Sequence, residues 1–333
     1  MDPKNQTMAR YFILKGISDV PELQTLVFLL VLFIYLITFG GNMTILLLVF
    51  LDSVLHTPMY YFLCNLSILD LSSSVVTLYK IPFVFLTGNN TISFIACMVQ
   101  VCIFSWLSGN ELIMLTAMSY DRYVAICYPL HYMTVMNNSF CTALASFCWA
   151  ISLLQILPAM VILISFTCYI SHVINHFFCD IMPLIDISCS DTSVLQLLIF
   201  TEGALLSTFA PFLLTFISYV FIITTIIKIQ SSSGRSKAFY TCSSHLTVVA
   251  LHYSSLVCQY LTPIGTFKSN KLLALFNTAI VPMLNPIIYS LKNKDMKLAF
   301  QRQLHYFMAK YNGSYIQPTQ LGMVNFLMEE WRR

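Results

Sequence analysis

Charged residues are scarce in this chain of 333 residues: Asp, Glu, Lys and Arg together make up 9% of it. Hydrophobic residues make up 58%, and the mean hydropathy is +0.77. A single water-soluble core cannot hide that much apolar surface, so a soluble globular domain is excluded. The net charge is only +3, and we expect no nucleic-acid partner. The composition indicates a polytopic membrane protein.

Long apolar runs fill most of the chain. A helix that spans a bilayer needs about 20 mostly apolar residues. Seven runs reach this length, near residues 25–50, 58–80, 97–122, 140–164, 195–227, 238–261 and 272–291. Residues 1–24 are mixed polar, which does not resemble a cleavable signal peptide, so the first run is expected to act as an uncleaved anchor. We predict an all-α membrane protein with a seven-transmembrane helix bundle.

The distribution of Lys and Arg residues along the chain indicates which way the protein is inserted in the membrane. With the N-terminus outside, most Lys and Arg residues lie on the cytoplasmic side, as the positive-inside rule requires. The first helix alone argues the other way, because Lys15 precedes it and the short loop after it has no Lys or Arg. The glycosylation sequon at Asn5 is usable only if it is outside. We therefore expect an extracellular N-terminus (1–24), a bundle (25–291), an amphipathic cytoplasmic helix (292–310) and a cytoplasmic tail (311–333).

Four of the eleven cysteines lie at or between helix ends on the expected outer face, where disulfides persist. Cys97, Cys168, Cys179 and Cys189 allow three connectivities, and spacing does not choose among them. The same region holds His172 and His176. One helical turn would place both imidazoles on one face, so a metal site is conceivable. The alternative is that Cys179 is oxidised and the histidines are solvated or hydrogen-bonded, and we expect no metal.

Five motifs stand in one order along the chain: "GN" at 41–42, "LHTPMYYFLCNLSILDL" at 55–71, "MSYDRYVAICYPLHY" at 118–132, "KAFYTCSSHLTVV" at 237–249 and "PMLNPIIYSLKNK" at 282–294. Together they resemble the olfactory receptors, a group of rhodopsin-like G-protein-coupled receptors, over roughly residues 10–305. The resemblance implies a plasma-membrane odorant receptor that is not an enzyme and needs no cofactor. Its implied partners are a small odorant, membrane lipid and the olfactory stimulatory G protein, with cyclic AMP as the output.

The resemblance also implies an activation switch at the cytoplasmic end. Asp121 would hold Arg122 at rest and release it on activation, and two tyrosines would swing toward the freed arginine. The implied switch residues are Asp121, Arg122, Tyr123, Tyr219, Lys237, Asn285, Pro286 and Tyr289. Without the resemblance, the Asp-Arg pair reads equally as an anchor for the helix end, and Lys237 as an orientation charge.

Three acids, Asp70, Glu111 and Glu202, fall within apolar runs, where a carboxylate is a functional-site hypothesis by default. The resemblance places Asp70 and Glu111 with Asn42 in a polar cluster that binds sodium in many relatives. Plain polar packing is the alternative. The sequence does not decide which way Glu202 faces.

By resemblance, the odorant site lies in the outer half of the bundle, roofed by the Cys179 loop, with Cys97 paired to Cys179 and Cys168 to Cys189. The implied ligand-binding residues are Phe104, Ser105, Ser108, Gly109, Ile181, Phe200, Gly203, Ser207, Tyr253, Leu256, Val257 and Tyr260. Helix packing is the competing explanation for such residues, and we expect about half of them to touch ligand. This mixture of apolar area and hydroxyls favours a small neutral or weakly polar volatile. A biogenic amine is not expected, because amine receptors keep an aspartate at the position of Phe104.

Two departures from the family pattern give further expectations. Relatives usually have phenylalanine at the position of His252, so an imidazole there could tune activation with pH. After the last span, Met296, Phe300, Leu304 and Phe307 share one helical face, as expected of a helix lying on the membrane surface.

Three other function classes remain to be weighed. A rhodopsin-like receptor for an endogenous, non-odorant ligand fits the same motifs. A transporter or channel is a more distant alternative, because transporters usually show internal repeats and none is seen here. An enzyme would need a nucleophile with its base or a metal-ligand cluster, and no such spacing is found.

Overall fold

The chain folds into a helical bundle, seen in a computed structural model that describes residues 11–17, 20–260, 271–291 and 293–311. Asn5 and nearly all of the predicted tail lie outside these residues. We number the membrane-crossing helices as spans. Span 1 is Pro21–Leu51, span 2 Pro58–Leu78 with Lys80–Thr87, span 3 Phe94–Cys127, span 4 Asn138–Ser165, span 5 Ser193–Leu198, Ile199–Phe209 and Ala210–Lys228, span 6 Ser232–Tyr260, and span 7 Lys271–Leu275, Phe276–Ile280 and Val281–Leu291.

The predicted seven-helix architecture is confirmed. Spans 1 to 5 and span 7 are long and apolar enough to cross a membrane by length and composition. Span 6 is equally long but more polar, since Arg235 and His245 lie within it among several serines. Span 1 begins at Pro21, earlier than predicted, because proline fits the first turn of a helix, where no backbone N–H is needed.

A small β-sheet covers one end of the bundle and was not predicted. Strand β1 (Tyr11–Leu14) lies between β2 (Thr91–Ser93), to which it is antiparallel, and β3 (Val173–Ile174), to which it is parallel. The side chain of Phe12 is completely buried and packs on Phe94 and Tyr169. The segment before span 1 is therefore part of the folded structure. We call this end of the bundle the sheet end.

Two disulfides tie the loop between spans 4 and 5 to the sheet end. Cys97 is bonded to Cys179, and Cys168 to Cys189, each with a Cα–Cα distance of 5.4 Å. The backbone N–H of Cys179 also donates to Oε1 of Gln100 at 2.9 Å. These bonds fix the loop over the ends of the helices.

The two histidines of this loop do not share a helical face. Strand β3 separates them; His172 stacks on Tyr11, and His176 is buried and stacks on Phe177. The helical turn considered for a metal site is therefore wrong. Within the described ranges, no group of three His, Cys, Asp or Glu residues could hold a metal ion.

Span 1 approaches span 7 closely at Gly41. A Cβ atom added at Gly41 would lie 2.8 Å from Cγ of Pro286, closer than real Cβ contacts allow. The neighbouring Gly40 has no atom within 4 Å of such a Cβ. The glycine of the "GN" motif thus allows span 1 to pack against the proline of span 7.

The juxtamembrane helix, Lys294–Tyr311, packs against the opposite end of the bundle. Met296 and Ala299 are buried in the core, whereas Phe300 and Leu304 are exposed. One part of the predicted apolar face therefore packs against the bundle, and the other part is exposed on the surface of the protein. The side chain of Phe307 lies outside the described residues. Arg302 forms an ion pair with the buried Asp52, which follows span 1, with Nη2 and Oδ2 2.7 Å apart.

Candidate functional site

A cavity of about 250 Å³ lies between the helices beneath the Cys97–Cys179 disulfide. Its walls come from spans 2 to 7 and from the loop residues that follow Cys179. The lining residues are Ser73, Phe104, Ser105, Ser108, Gly109, Glu111, Leu112, Ser152, Gln155, Ile156, Ala159, Asp180, Ile181, Leu198, Ile199, Glu202, Gly203, Ser207, Thr208, His252, Ser255, Leu256, Asn277 and Thr278. Small-molecule sites have this form, a concave and partly apolar space with a few convergent polar groups.

The cavity brings together eight of the twelve residues implied by the sequence: Phe104, Ser105, Ser108, Gly109, Ile181, Gly203, Ser207 and Leu256. Phe200 is not among the lining residues, since it is 58% exposed on the outside of span 5. Tyr253 is buried and packs on the ring of Phe212 outside the lining. The side chains of Val257 and Tyr260 lie outside the described part of the chain.

The geometry of span 5 explains the position of Phe200. Residues Ile199–Phe209 form a π-helix, in which a face repeats at wider spacing than in an α-helix. Glu202, Gly203, Ser207 and Thr208 consequently all line the cavity. The hydroxyl of Ser207 donates to Oε1 of Gln155 in span 4 at 3.0 Å. The residues implied by the sequence include Gly203 and Ser207 of this face but not Thr208, and they include Phe200, which lies outside the lining.

Three carboxyl groups line the cavity, and sequence reasoning placed none of them among the ligand-binding residues. Asp180 accepts a hydrogen bond at Oδ1 from the backbone N–H of Ile181 at 2.7 Å, as the cap of the short helix Ile181–Asp186. Burial raises the pKa of Asp180 to about 6, against the opposing effect of that hydrogen bond. Glu111 pairs with His252. Oε2 of Glu202 is buried and has no hydrogen-bond partner among the described residues.

A chain of polar side chains leads from the cavity floor into the bundle. Nε2 of His252 lies 2.7 Å from Oε1 of Glu111, and Glu111 is in side-chain contact with the buried Asp70. The Asn285 side-chain amide donates to both oxygens of Asp70, at 3.0 and 3.1 Å. Asp70 and Glu111 of the predicted polar cluster thus connect in series with Asn285 of the predicted switch, and His252 extends the series.

Asn42 belongs to a neighbouring contact between spans 1 and 7. Its amide donates to the backbone oxygen of Thr38 at 3.0 Å and to that of Pro282 at 3.4 Å. The structure records no hydrogen bond between Asn42 and Asp70 within the described residues. The asparagine therefore joins two helices next to the Asp70 chain.

The predicted switch residues cluster at the end of the bundle opposite the sheet. Asp121 and Arg122 are buried and joined by hydrogen bonds, and the hydroxyl of Tyr132 donates to Oδ1 of Asp121 at 2.8 Å. The Asp121 carboxylate therefore accepts hydrogen bonds from both Arg122 and Tyr132, and the guanidinium of Arg122 is held beside it. Lys237 lies on span 6, but its side chain is outside the described residues.

Nearby tyrosines occupy the space between spans 3, 5, 6 and 7. The hydroxyl of Tyr219 lies 2.7 Å from Nδ1 of His245, whose Nε2 is 3.1 Å from the backbone oxygen of Leu115. Tyr289, three residues after Pro286, is completely buried, and its hydroxyl has no partner among the described residues. Tyr123 has its hydroxyl 3.4 Å from that of Tyr128. This end of the bundle thus holds several polar groups that can exchange partners.

Comparison with known proteins gives one consistent result. The chain matches the family model described as "Olfactory receptor" over residues 31–306. It is 43% identical to olfactory receptor 6C3 of Homo sapiens, over 90% of this chain and 97% of that protein. It is 42% identical to olfactory receptor 5AR1 of Mus musculus, over 91% of this chain and 98% of that protein. Olfactory receptor 13G1 of Homo sapiens is 40% identical, over 90% and 97% of the two chains.

Proposed function

The chain belongs to the olfactory receptor family, and from this membership we propose how its cavity and its buried polar groups act. The family makes it an odorant receptor and a multi-pass protein of the plasma membrane that couples to a G protein. It is not an enzyme. The proposals below concern its orientation, its site residues and the type of G protein.

We propose that the sheet end faces the outside of the cell and that the Arg122 end faces the cytoplasm. Both disulfides lie at the sheet end, and disulfides persist in oxidising surroundings. The juxtamembrane helix at the other end contains Lys294, Lys297 and Arg302, as expected for a cytoplasmic segment beside an anionic leaflet. The N-terminal segment would then be extracellular and the tail cytoplasmic.

The observation that supports the binding proposal best is the cavity beneath the Cys179 loop. It offers apolar area from Phe104, Leu112 and Ile156, together with several hydroxyls. We propose that a small odorant occupies this space and touches the eight lining residues named above. Tyr253 lies one residue after the lining His252, so it can report on a shift of span 6 without touching the ligand.

We propose that activation runs through the polar chain from Glu111 to Asn285. A ligand shifts a two-state equilibrium only if it binds one packing better than the other. Contacts that move span 6 would strain the Glu111–His252 pair and the Asp70–Asn285 bonds next to Pro286. Release of Arg122 from Asp121 would then open a cleft for the G protein, with Tyr219 and Tyr289 free to move toward it.

The partner we propose is the olfactory stimulatory G protein, with a rise in cyclic AMP as the output. The test is cyclic AMP in cells that express the chain with this G protein and a trafficking helper, challenged with a broad panel of volatiles. A dose-dependent rise is expected, and Arg122→Ala at matched surface level should abolish it. A response that persists in Arg122→Ala would contradict the switch. Silence at verified surface expression would contradict the stimulatory coupling and favour a non-odorant ligand.

A further inference from the structure

The cavity has an unusual balance of charge. Among the described residues that line it, three are acids, namely Glu111, Asp180 and Glu202, and none is Lys or Arg. A site with this balance produces a negative potential, which attracts cations and repels carboxylates. The effect is stronger in an enclosed space than in water, because the surrounding protein has a lower effective dielectric constant.

Two of the three acids already have partners from the protein. Glu111 is bonded to His252, and Asp180 accepts from the backbone N–H of Ile181. Glu202 differs, because its Oε2 atom is buried and unpartnered within the described residues. A buried carboxylate oxygen without a donor is costly, and such groups normally have a hydrogen-bond partner. The missing donor is therefore expected to come from a molecule in the cavity.

The space beside Glu202 supplies the other requirements of a ligand. Gly203 leaves the backbone of span 5 without a side chain next to the carboxyl group, and the hydroxyls of Ser207 and Thr208 line the same wall. Apolar side chains, including Phe104, Leu112, Ile156 and Leu256, face the same cavity. The cavity is thus built for a molecule with one strong donor and an apolar body.

We propose that this receptor binds small primary or secondary amines, as ammonium ions whose nitrogen donates to Glu202. The proposal rests on the function proposed above and specifies its ligand class. An aliphatic ammonium group has a pKa near that of lysine, about 10, so it is charged at neutral pH. It gives the carboxylate both a donor and an opposite charge, which forms the stronger type of hydrogen bond. An alcohol gives a donor without the charge, and a carboxylate is repelled.

Phe104 favoured a neutral ligand at the sequence level, because amine receptors hold their aspartate at that position. The structure offers an acid on the facing wall, on span 5. Glu202 belongs to the π-helical segment and lines the cavity. An amine can therefore be anchored without an acid at the position of Phe104.

The experiment compares ligands that share a carbon skeleton and differ in their polar group. Purified receptor in lipid nanodiscs is titrated with linear amines from n-butylamine to n-octylamine and with cyclohexylamine, and with the matching alcohols, aldehydes and carboxylic acids. The thermal midpoint reports binding directly, without a G protein. Cyclic AMP is measured in parallel in cells. Glu202→Gln removes the charge while keeping the shape, and Asp191→Asn removes a charge from an exposed residue before span 5 as the matched control.

We expect at least one amine to raise the midpoint of the unmodified receptor at concentrations where its alcohol and acid analogues do not. Glu202→Gln should weaken amine binding and raise the half-maximal concentration for cyclic AMP by about tenfold to a hundredfold, as for a lost hydrogen bond to a charged group. Asp191→Asn should leave both unchanged. If Glu202→Gln folds poorly, the preference of the unmodified receptor for amines over alcohols still decides the ligand class.

The other outcomes separate the two proposals. Alcohols or aldehydes that act where amines do not would overturn the amine inference and leave the odorant-site proposal standing. Amines that act equally on Glu202→Gln would overturn the role of Glu202. Amines that bind without raising cyclic AMP would support this inference and contradict the proposed coupling. Absence of any midpoint change with the whole amine series would overturn the inference.

Discussion

The imidazole of His252 joins span 6 to span 3 at the floor of the cavity, with Nε2 2.7 Å from Oε1 of Glu111. Its other nitrogen, Nδ1, lies 3.1 Å from the backbone oxygen of Val248. Both nitrogens face oxygen acceptors, so the ring satisfies both contacts as a donor only when it is protonated. A phenylalanine at this position can make neither contact.

Replacing His252 with Phe should raise basal cyclic AMP. The substitution removes the link between spans 3 and 6, and hydrogen bonds to charged groups contribute about 1.5–3 kcal/mol. Loss of even the lower value shifts a two-state equilibrium by about tenfold. Basal cyclic AMP per surface receptor is the measurement, at neutral and mildly acidic pH.

The matched control for His252 is Ser254→Ala, because Ser254 lies on the exposed side of the same helix. It should leave basal activity unchanged. The tuning hypothesis fails if His252→Phe alters neither basal activity nor dose-response at any of the pH values.

Gly41→Ala should destabilise the receptor, whereas Gly40→Ala should not. The added Cβ at Gly41 would lie 2.8 Å from Pro286, while that at Gly40 meets no atom within 4 Å. Overpacking of this kind typically costs about 1–3 kcal/mol. Thermal midpoints of the two purified variants test the difference. Equal midpoints would show that span 7 moves away without cost.

The stability of the loop at the sheet end should fall as the pH is lowered, in part because of His176. Burial lowers the pKa of His176 to about 4, below its ordinary value of 6.5. The unfolded chain therefore binds more protons between these values, and the folded state loses stability as the pH falls from about 6.5 toward 4.

His176→Phe should reduce this pH dependence, since phenylalanine can keep the aromatic contacts with Phe177 and Phe178 and cannot be protonated. The thermal midpoint measured from pH 7 to pH 5 should fall less in the variant than in the unmodified receptor. Parallel pH curves for the two proteins would contradict the assignment to His176.

Arg302→Ala should loosen the juxtamembrane helix. Arg302 pairs with Asp52, which is buried and would lose its charged partner. Because the arginine is partly exposed, we expect a loss of about 1 kcal/mol or less. Amide hydrogen exchange in Lys294–Tyr311 should become faster. Lys297→Ala, which removes an exposed cation from the same helix, should leave exchange unchanged if the pair is responsible.

The sequence predicted the features that depend on long or repeated patterns. The length of the apolar runs predicted the seven helices, and five ordered motifs identified the family. Five of the eight implied residues that line the cavity lie on spans 3 and 6, which are regular helices over that region, so helical spacing is a reliable guide there.

The remaining features depend on local departures from regular geometry or on contacts distant in sequence. The π-helical segment places Thr208 on the cavity wall five residues after Gly203, a spacing wider than that of an α-helical face. Strand β1 is four residues long and pairs with segments far along the chain, so nothing near Tyr11–Leu14 indicates its partners. The pairing of His252 with Glu111 joins two spans whose relative rotation the sequence does not specify.

The order of the strands has a consequence for synthesis of the receptor. The central strand, Tyr11–Leu14, is made first, yet its two partners come from Thr91–Ser93 and from Val173–Ile174. The second partner is completed only after about half of the chain has been translated. Strand β1 therefore has no partner until Thr91–Ser93 has been synthesised, and one of its edges stays unpaired until Val173–Ile174 has followed. An unpaired strand is a template for wrong partners, so this interval is a stage at which a chaperone of the secretory pathway would have most to protect.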